Sequence, residues 1–172
     1  MINKPPSTPG SAKSGKSGFA LSLKGRALRL LSAREQSRTE LERKLAQHEE
    51  APGQLAAVLD ELEAKDFISP TRVMESVINR RQAKLGASRI KGELQRKGLD
   101  ASMVAEAMDG LKATELERAR EVWRKKFDSK TDAVSKDKLT PADRAKQMRF
   151  LATRGFGADA IRRVVSGRGD DE

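Results

Sequence analysis

The stretch Leu85–Leu111, LGASRIKGELQRKGLDASMVAEAMDGL, encodes a helix, a sharp break and a second helix. Ile90 and Leu94 lie four positions apart on one helical face, and Gly98 readily adopts the left-handed conformation that closes a helix. Asp100 can cap the helix that follows. The apolar stripe of that second helix consists of Val104, Ala107, Met108 and Leu111. This segment therefore predicts two consecutive helices, each with one buried face.

The same pattern recurs on both sides of this stretch. A shift of about 49 residues toward the N-terminus brings into register Leu41, Leu45, Leu55, Val58, Leu59 and Leu62. A shift of about 57 residues toward the C-terminus brings into register Leu151, Gly155, Phe156, Ile161, Val164 and Val165. A unit this small cannot bury its apolar face alone, so neighbouring units must stack. We therefore expect an all-α fold: a tandem array of three three-helix repeats forming an elongated, curved, solenoid-like body.

The repeat pattern also gives expected boundaries along the chain. The three-helix repeats are expected at residues 20–66, 67–113 and 114–167. A basic stretch rich in Pro, Ser and Gly at 1–19 predicts a disordered tail, and the acidic segment 168–172 predicts a frayed end. The polar segment 128–139 is longer than its counterparts and explains the larger second shift.

Residues at the expected helix starts support this division. Ser37 and Glu40 form the spacing of a capping box. Ser69 before Pro70, and Thr140 before Pro141, each combine a cap with a proline at the first helical position. The aromatic pair Trp123 and Phe127 stands at helical spacing, so we expect it to pack inward rather than to stack on bases.

Composition restricts the function. Charged residues make up 35% of the chain and aromatic residues 3%, which favours a helical protein over a sandwich or barrel. The net charge of +10 predicts attraction to polyanions or to an acidic protein surface, without choosing between them. The absence of cysteine excludes disulfides, thiolate metal ligands and cysteine catalysis. No secretory segment or membrane-length apolar run is present, so we expect a cytoplasmic protein without a membrane span.

The sequence lacks the residue groups of an enzyme. Gly10–Ser17, GSAKSGKS, matches a phosphate-binding loop by letter, but no strand can precede it, so we interpret it as a coincidence. His48 is the sole histidine and is expected at a surface or helix end. No pair of carboxylates has surroundings that would separate two pKa values. We therefore expect no catalytic residues, no metal and no cofactor.

Basic residues of the second and third repeats are the candidate contact surface. These segments carry more positive charge than nearby carboxylates can pair, although a merely solvated face is the alternative interpretation. Because exposed ion pairs contribute at most about 1 kcal/mol, removing these side chains is expected to affect folding little. The candidates are Arg80, Arg81, Lys84, Arg89, Lys91, Arg96, Lys97, Arg124, Lys125, Lys126, Arg149 and Arg154.

The chain resembles the RecX family, bacterial regulators of the RecA recombinase built from tandem three-helix repeats. The resemblance covers about residues 20–167. It rests on Leu30, Leu31, Ser37, Glu40, Leu41 and Leu45, on Gly86, Arg89, Ile90, Leu94, Lys97 and Gly98, and on Phe150, Leu151, Arg154, Gly155 and Phe156. The sequence departs from the family at the first repeat boundary, where Asp66–Pro70 reads DFISP and Val73 replaces a usual Phe.

This resemblance implies a non-enzymatic protein that docks along the RecA filament on DNA and inhibits its ATPase, strand exchange and co-protease activities. We expect the protein itself to be a monomer. Weak DNA binding without sequence preference is expected to accompany that role. A free-standing DNA-binding protein of transcription-factor type is the alternative, with Arg89, Lys91, Gln95 and Arg96 as base-reading residues. A scaffold whose charge serves only solubility is a third interpretation.

Overall fold

The computed structural model describes residues 21–127 and 140–167. Nine α-helices and one 3-10 turn make up the regular structure within those ranges, so the expected all-α class is confirmed. The helices are α1 (Leu23–Ala33), α2 (Arg38–Leu45), α3 (Gln54–Ala64), α4 (Pro70–Arg81), α5 (Ala87–Arg96), α6 (Ala101–Ala113), α7 (Glu115–Phe127), α8 (Pro141–Thr153) and α9 (Ala158–Ser166), and the 3-10 turn is Ala46–His48. The two tails, the loop-like match at 10–17 and the polar segment 128–139 lie outside the described residues.

Three separate hydrophobic cores divide these helices into groups. Helices α1 to α3 enclose a core that includes Leu41, Leu59 and Leu62. The core between α4, α5 and α6 includes Ile90 and Leu94, and the core of α7 to α9 is built around Leu151. We call these groups repeat 1, repeat 2 and repeat 3. The tandem array of three-helix repeats is therefore confirmed, with each repeat burying its own apolar stripe.

The helix starts follow the capping residues of the sequence. Ser37 Oγ accepts the Glu40 N–H at 3.3 Å while Glu40 Oε2 accepts the Ser37 N–H at 3.1 Å, which completes the capping box. Ser69 caps α4 with Pro70 at its first position, and Asp100 caps α6. Gly98 has a φ of +72°, the left-handed conformation expected at the break between α5 and α6. These local predictions are confirmed.

Aromatic side chains of repeat 3 pack against one another. The Trp123 Nε1–H donates to Oε1 of buried Gln147 at 3.0 Å. The Phe127 ring lies 6.1 Å from the Trp123 ring and meets Phe150 edge-on at 5.1 Å, measured between ring centroids. Trp123 is packed against the core of repeat 3, so the inward packing expected for it is confirmed.

Candidate functional site

Repeats 1 and 2 meet where the N-terminus of α2 contacts the turn between α5 and α6. We call this contact the first junction. A methyl group on Gly98 would lie 2.4 Å from Thr39 Oγ1, so the backbone of the turn lies directly against α2. Lys97 Nζ lies 2.8 Å from Glu40 Oε2, and both side chains are only 10% exposed. The first junction is thus closed by a buried ion pair.

The Glu40 carboxylate is surrounded by three donor groups at this junction. Arg34 Nη2 donates to Glu40 Oε1 at 2.9 Å, and Lys97 and the Ser37 N–H approach Oε2. Burial alone would raise the pKa of Glu40, but hydrogen bonds from Arg34, Lys97 and Ser37 outweigh it and lower the pKa to about 2. The carboxylate is therefore ionised at neutral pH and fully engaged within the protein.

The position of Lys97 corrects one expectation from the sequence. The sequence predicts Lys97 to be an exposed cation without an ion partner. Its stem is buried and its charge is paired with Glu40, so that expectation is wrong. The sequence could not reveal the pairing because Glu40 is far from Lys97 along the chain and comes close only when two repeats stack.

Repeats 2 and 3 meet through the corresponding elements. At this second junction the N-terminus of α5 contacts the turn between α8 and α9. The Gly86 N–H donates to Arg154 O at 2.9 Å, and the Ser88 N–H donates to Gly155 O at 3.2 Å. A methyl group on Gly86 would lie 2.2 Å from Gly155 O, so the two backbones are in direct contact. The same shifts of about 49 and 57 residues relate Thr39 to Ser88 and Gly98 to Gly155.

Those shifts relate the buried ion pair of the first junction to two arginines of the second. Glu40 corresponds to Arg89, and Lys97 corresponds to Arg154. Arg89 is exposed, and its Nε–H donates to Thr153 O at 3.1 Å. The guanidinium carbon of Arg154 lies 3.8 Å from the centroid of the Phe150 ring. No ion pair within residues 21–127 and 140–167 includes either arginine.

Two further side chains of α7 hold the second junction, and the sequence predicts neither of them. Glu115 Oε1 accepts the Ala87 N–H at 3.0 Å. Arg118 donates to Leu85 O at 2.8 Å and to Leu111 O at 2.7 Å, and burial lowers its pKa. Their partners are backbone groups, which every residue possesses, so no pattern of side chains in the sequence points to them.

The remaining candidates differ in how much of their charge is available. Arg81 makes two contacts with Glu93, at 2.9 and 3.3 Å, and Lys125 lies 3.9 Å from Glu121. Arg80 and Arg96 each donate Nε–H to a carbonyl of their own helix. Besides Arg89, seven candidates are exposed and belong to no ion pair in the described part of the chain: Arg80, Lys84, Lys91, Arg96, Arg124, Lys126 and Arg149.

The structure brings some of these candidates together. Arg89 lies over the Thr153–Gly155 backbone, so it comes close to the turn that carries Arg154. Arg96 follows Arg89 by about two helical turns on the same face of α5, and Arg149 precedes Thr153 by about one turn on α8. The second junction is therefore flanked by exposed cations on both contributing helices.

Other kinds of site find no support among the residues that the structure describes. No group of three or more His, Asp or Glu residues there could hold a metal ion. His48 is half-buried and stands at the end of the 3-10 turn, as expected for a helix-end residue. None of the described helices is long and apolar enough to span a membrane.

Comparisons with known proteins agree with the repeat architecture. Family models for the first and third three-helix domains of RecX match residues 24–62 and 113–165. The chain is 48% identical to regulatory protein RecX of Leptothrix cholodnii, over 84% of this chain and 88% of that protein. It is 45% identical to regulatory protein RecX of Herminiimonas arsenicoxydans, over 88% and 96% of the two chains. The crystal structure of RecX from Lactobacillus salivarius superposes with a TM-score of 0.68 at 21% identity, covering 84% of this chain and 93% of that one.

Proposed function

This chain belongs to the RecX family of regulatory proteins, and we therefore propose that it binds the RecA filament on DNA and inhibits its ATPase, strand exchange and co-protease activities. In this role it acts in the cytoplasm as a non-enzymatic monomer that regulates recombination, DNA repair and the SOS response. Its own binding to DNA is weak and indifferent to sequence, because it rests on contacts between cations and phosphates.

The observation that carries this proposal is the set of exposed, unpaired cations on rigid helices of repeats 2 and 3. A filament of protein on DNA presents phosphates and acidic side chains at repeated positions along its length. A tandem array of repeats can hold several cations at fixed spacing against such a partner. Electrostatic complementarity of this kind raises the association rate and selects anionic partners.

The surroundings of α5 favour this proposal over a transcription factor. A helix that reads bases usually inserts its N-terminal residues into the major groove. In this chain the N-terminus of α5 is covered, because Gly86 and Ser88 donate their N–H groups to the turn of repeat 3. Arg89 also lies against that turn, because its Nε–H donates to Thr153 O. These contacts leave α5 poorly suited to enter a groove.

Co-sedimentation tests the proposed binding. RecA filaments assembled on circular single-stranded DNA with a slowly hydrolysed nucleotide are pelleted with increasing amounts of the protein. We expect saturable recovery of the protein in the pellet, well above its recovery with the same DNA lacking RecA. Equal recovery with and without RecA would contradict filament binding and would show that the protein binds only the DNA.

A duplex panel tests the alternative function. Binding to unrelated duplexes should be equally weak and should fall steeply with salt. A strong preference for one duplex that persists at high salt would instead support a base-reading protein.

A further inference from the structure

The two repeat junctions share one backbone arrangement but differ in charge. At the first junction the carboxylate of Glu40 pairs with Lys97 at 2.8 Å inside the protein. At the second junction the corresponding positions are Arg89 and Arg154, so an anion has been replaced by a second cation. Two guanidinium groups cannot neutralise each other, and no described carboxylate forms an ion pair with either one. At the second junction, therefore, no carboxylate stands at the position that Glu40 occupies at the first.

Both arginines are held in place without losing their capacity to bind an anion. The hydrogen bond from Arg89 to Thr153 O uses only Nε–H, and no hydrogen bond within the described residues uses its two Nη groups. Arg154 lies over the Phe150 ring, a contact that orients the planar guanidinium but uses none of its N–H donors. Glu115 is the acidic side chain bonded to this junction, and its Oε1 accepts the Ala87 N–H. Positioned guanidinium groups with unused donors are well suited to bidentate binding of an oxyanion.

We propose that the second junction is a phosphate-binding site, in which Arg89 and Arg154 hold the backbone of single-stranded nucleic acid where Glu40 supplies the anion at the first junction. The site deepens the proposed function and rests on it, since it assigns the DNA contact of the filament-bound protein to one pair of residues. Two further exposed cations, Arg96 on α5 and Arg149 on α8, favour an extended polyanion over a single acidic side chain as the ligand. A polyanion gains further from the counterions released at each contact.

The test compares variants in binding to a short fluorescein-labelled oligothymidine, followed by anisotropy over a range of salt concentrations without RecA. Arg89→Gln and Arg154→Gln should each weaken binding several-fold at about 0.1 M salt. The slope of log K against log salt should become shallower by about 0.7 for each lost contact with single-stranded DNA. Affinities and slopes equal to wild type in both variants would overturn the proposal.

Arg89→Glu provides a sharper test because it recreates the charge pattern of the first junction. The new carboxylate is placed to pair with Arg154, so the variant should keep the wild-type melting temperature while losing oligothymidine binding. Arg29→Glu, an exposed residue of α1 outside the candidate surface, makes the same change in net charge. Oligothymidine affinity should fall at least about tenfold more for Arg89→Glu than for Arg29→Glu. Equal losses in the two variants would mean that net charge alone drives binding, and would overturn the site.

Filament co-sedimentation of the same variants separates this proposal from the proposed function. If Arg89→Gln and Arg154→Gln bind oligothymidine like wild type but fail to pellet with RecA filaments, the site takes acidic side chains of a protein and the phosphate assignment is wrong. If wild type binds oligothymidine through these arginines but does not pellet preferentially with filaments, the phosphate site stands and the filament function fails.

Discussion

Lys97 Nζ of repeat 2 lies 2.8 Å from Glu40 Oε2 of repeat 1, and this ion pair is nine-tenths buried on both sides. Arg34 and the Ser37 N–H complete the surroundings of the carboxylate. Repeats 1 and 2 are therefore joined by a buried ion pair, which holds the charge of Lys97 inside the protein.

Replacing Lys97 by Met should destabilise the protein by roughly 2 to 4 kcal/mol, because Glu40 loses one of its buried donors and keeps Arg34. Urea denaturation followed by circular dichroism measures this change. Lys91 is an exposed lysine of α5, the helix that ends just before Lys97, so Lys91→Met is the matched control and should stay within about 0.5 kcal/mol of wild type. Equal midpoints for the two variants would mean that the buried pair does not hold the junction.

The low pKa of Glu40 predicts how stability depends on pH. Its pKa is about 2 in the folded protein and about 4.5 when unperturbed, so the unfolded chain binds more protons between these values. The stabilisation is present above about pH 4.5 and is lost as the pH falls toward 2. The difference in unfolding free energy between wild type and Glu40→Gln should therefore be largest near neutral pH and shrink on acidification.

Two controls accompany this pH series. Hydrogen bonds from Lys24 and Lys65 also lower the pKa of Glu61 to about 2. Glu61 is present in both proteins, so its contribution cancels from the difference. Glu106→Gln removes one exposed carboxylate of α6 and controls for the change in net charge. A difference between wild type and Glu40→Gln that stays constant from pH 7 to about pH 3 would contradict the assignment of this pKa.

Two glycines of the second repeat predict opposite responses to alanine. A methyl group at Gly86 would lie 2.2 Å from Gly155 O, so Gly86→Ala must push the α8 to α9 turn away and should cost roughly 1 to 3 kcal/mol. At Gly92, within α5, a methyl group would meet no atom within 4 Å. Gly92→Ala should therefore stabilise the helix by up to about 1 kcal/mol. Melting temperatures that shift in the same direction for both variants would contradict the close backbone contact at the second junction.

Much of the fold could be predicted because its signals are local. The stripe of α6 and the caps Ser37, Ser69 and Thr140 each act within one or two helical turns, so their spacing in the sequence is sufficient. The break at Gly98 is equally local, because it requires only a residue that tolerates positive φ. Repetition of these signals then indicated how the units succeed one another along the chain.

The charged surface could be predicted only in part, because pairing between repeats is not local. An excess of cations in a segment does not show which of them meets a carboxylate of another repeat, so the buried pairing of Lys97 could not be predicted. The alignment of the repeats does indicate which junction carries an ion pair. Aligning Glu40 with Arg89 and Lys97 with Arg154 distinguishes a paired junction from an unpaired one once the structure shows that these positions meet.

The proposal of filament regulation is tested most directly by the ATPase activity of RecA on single-stranded DNA. The protein is titrated into reactions at fixed RecA, DNA and ATP, and the steady-state rate of hydrolysis is measured. We expect the rate to fall with increasing protein and to level off at saturation, with no hydrolysis by the protein alone. An unchanged RecA rate at saturating protein would contradict the proposed function.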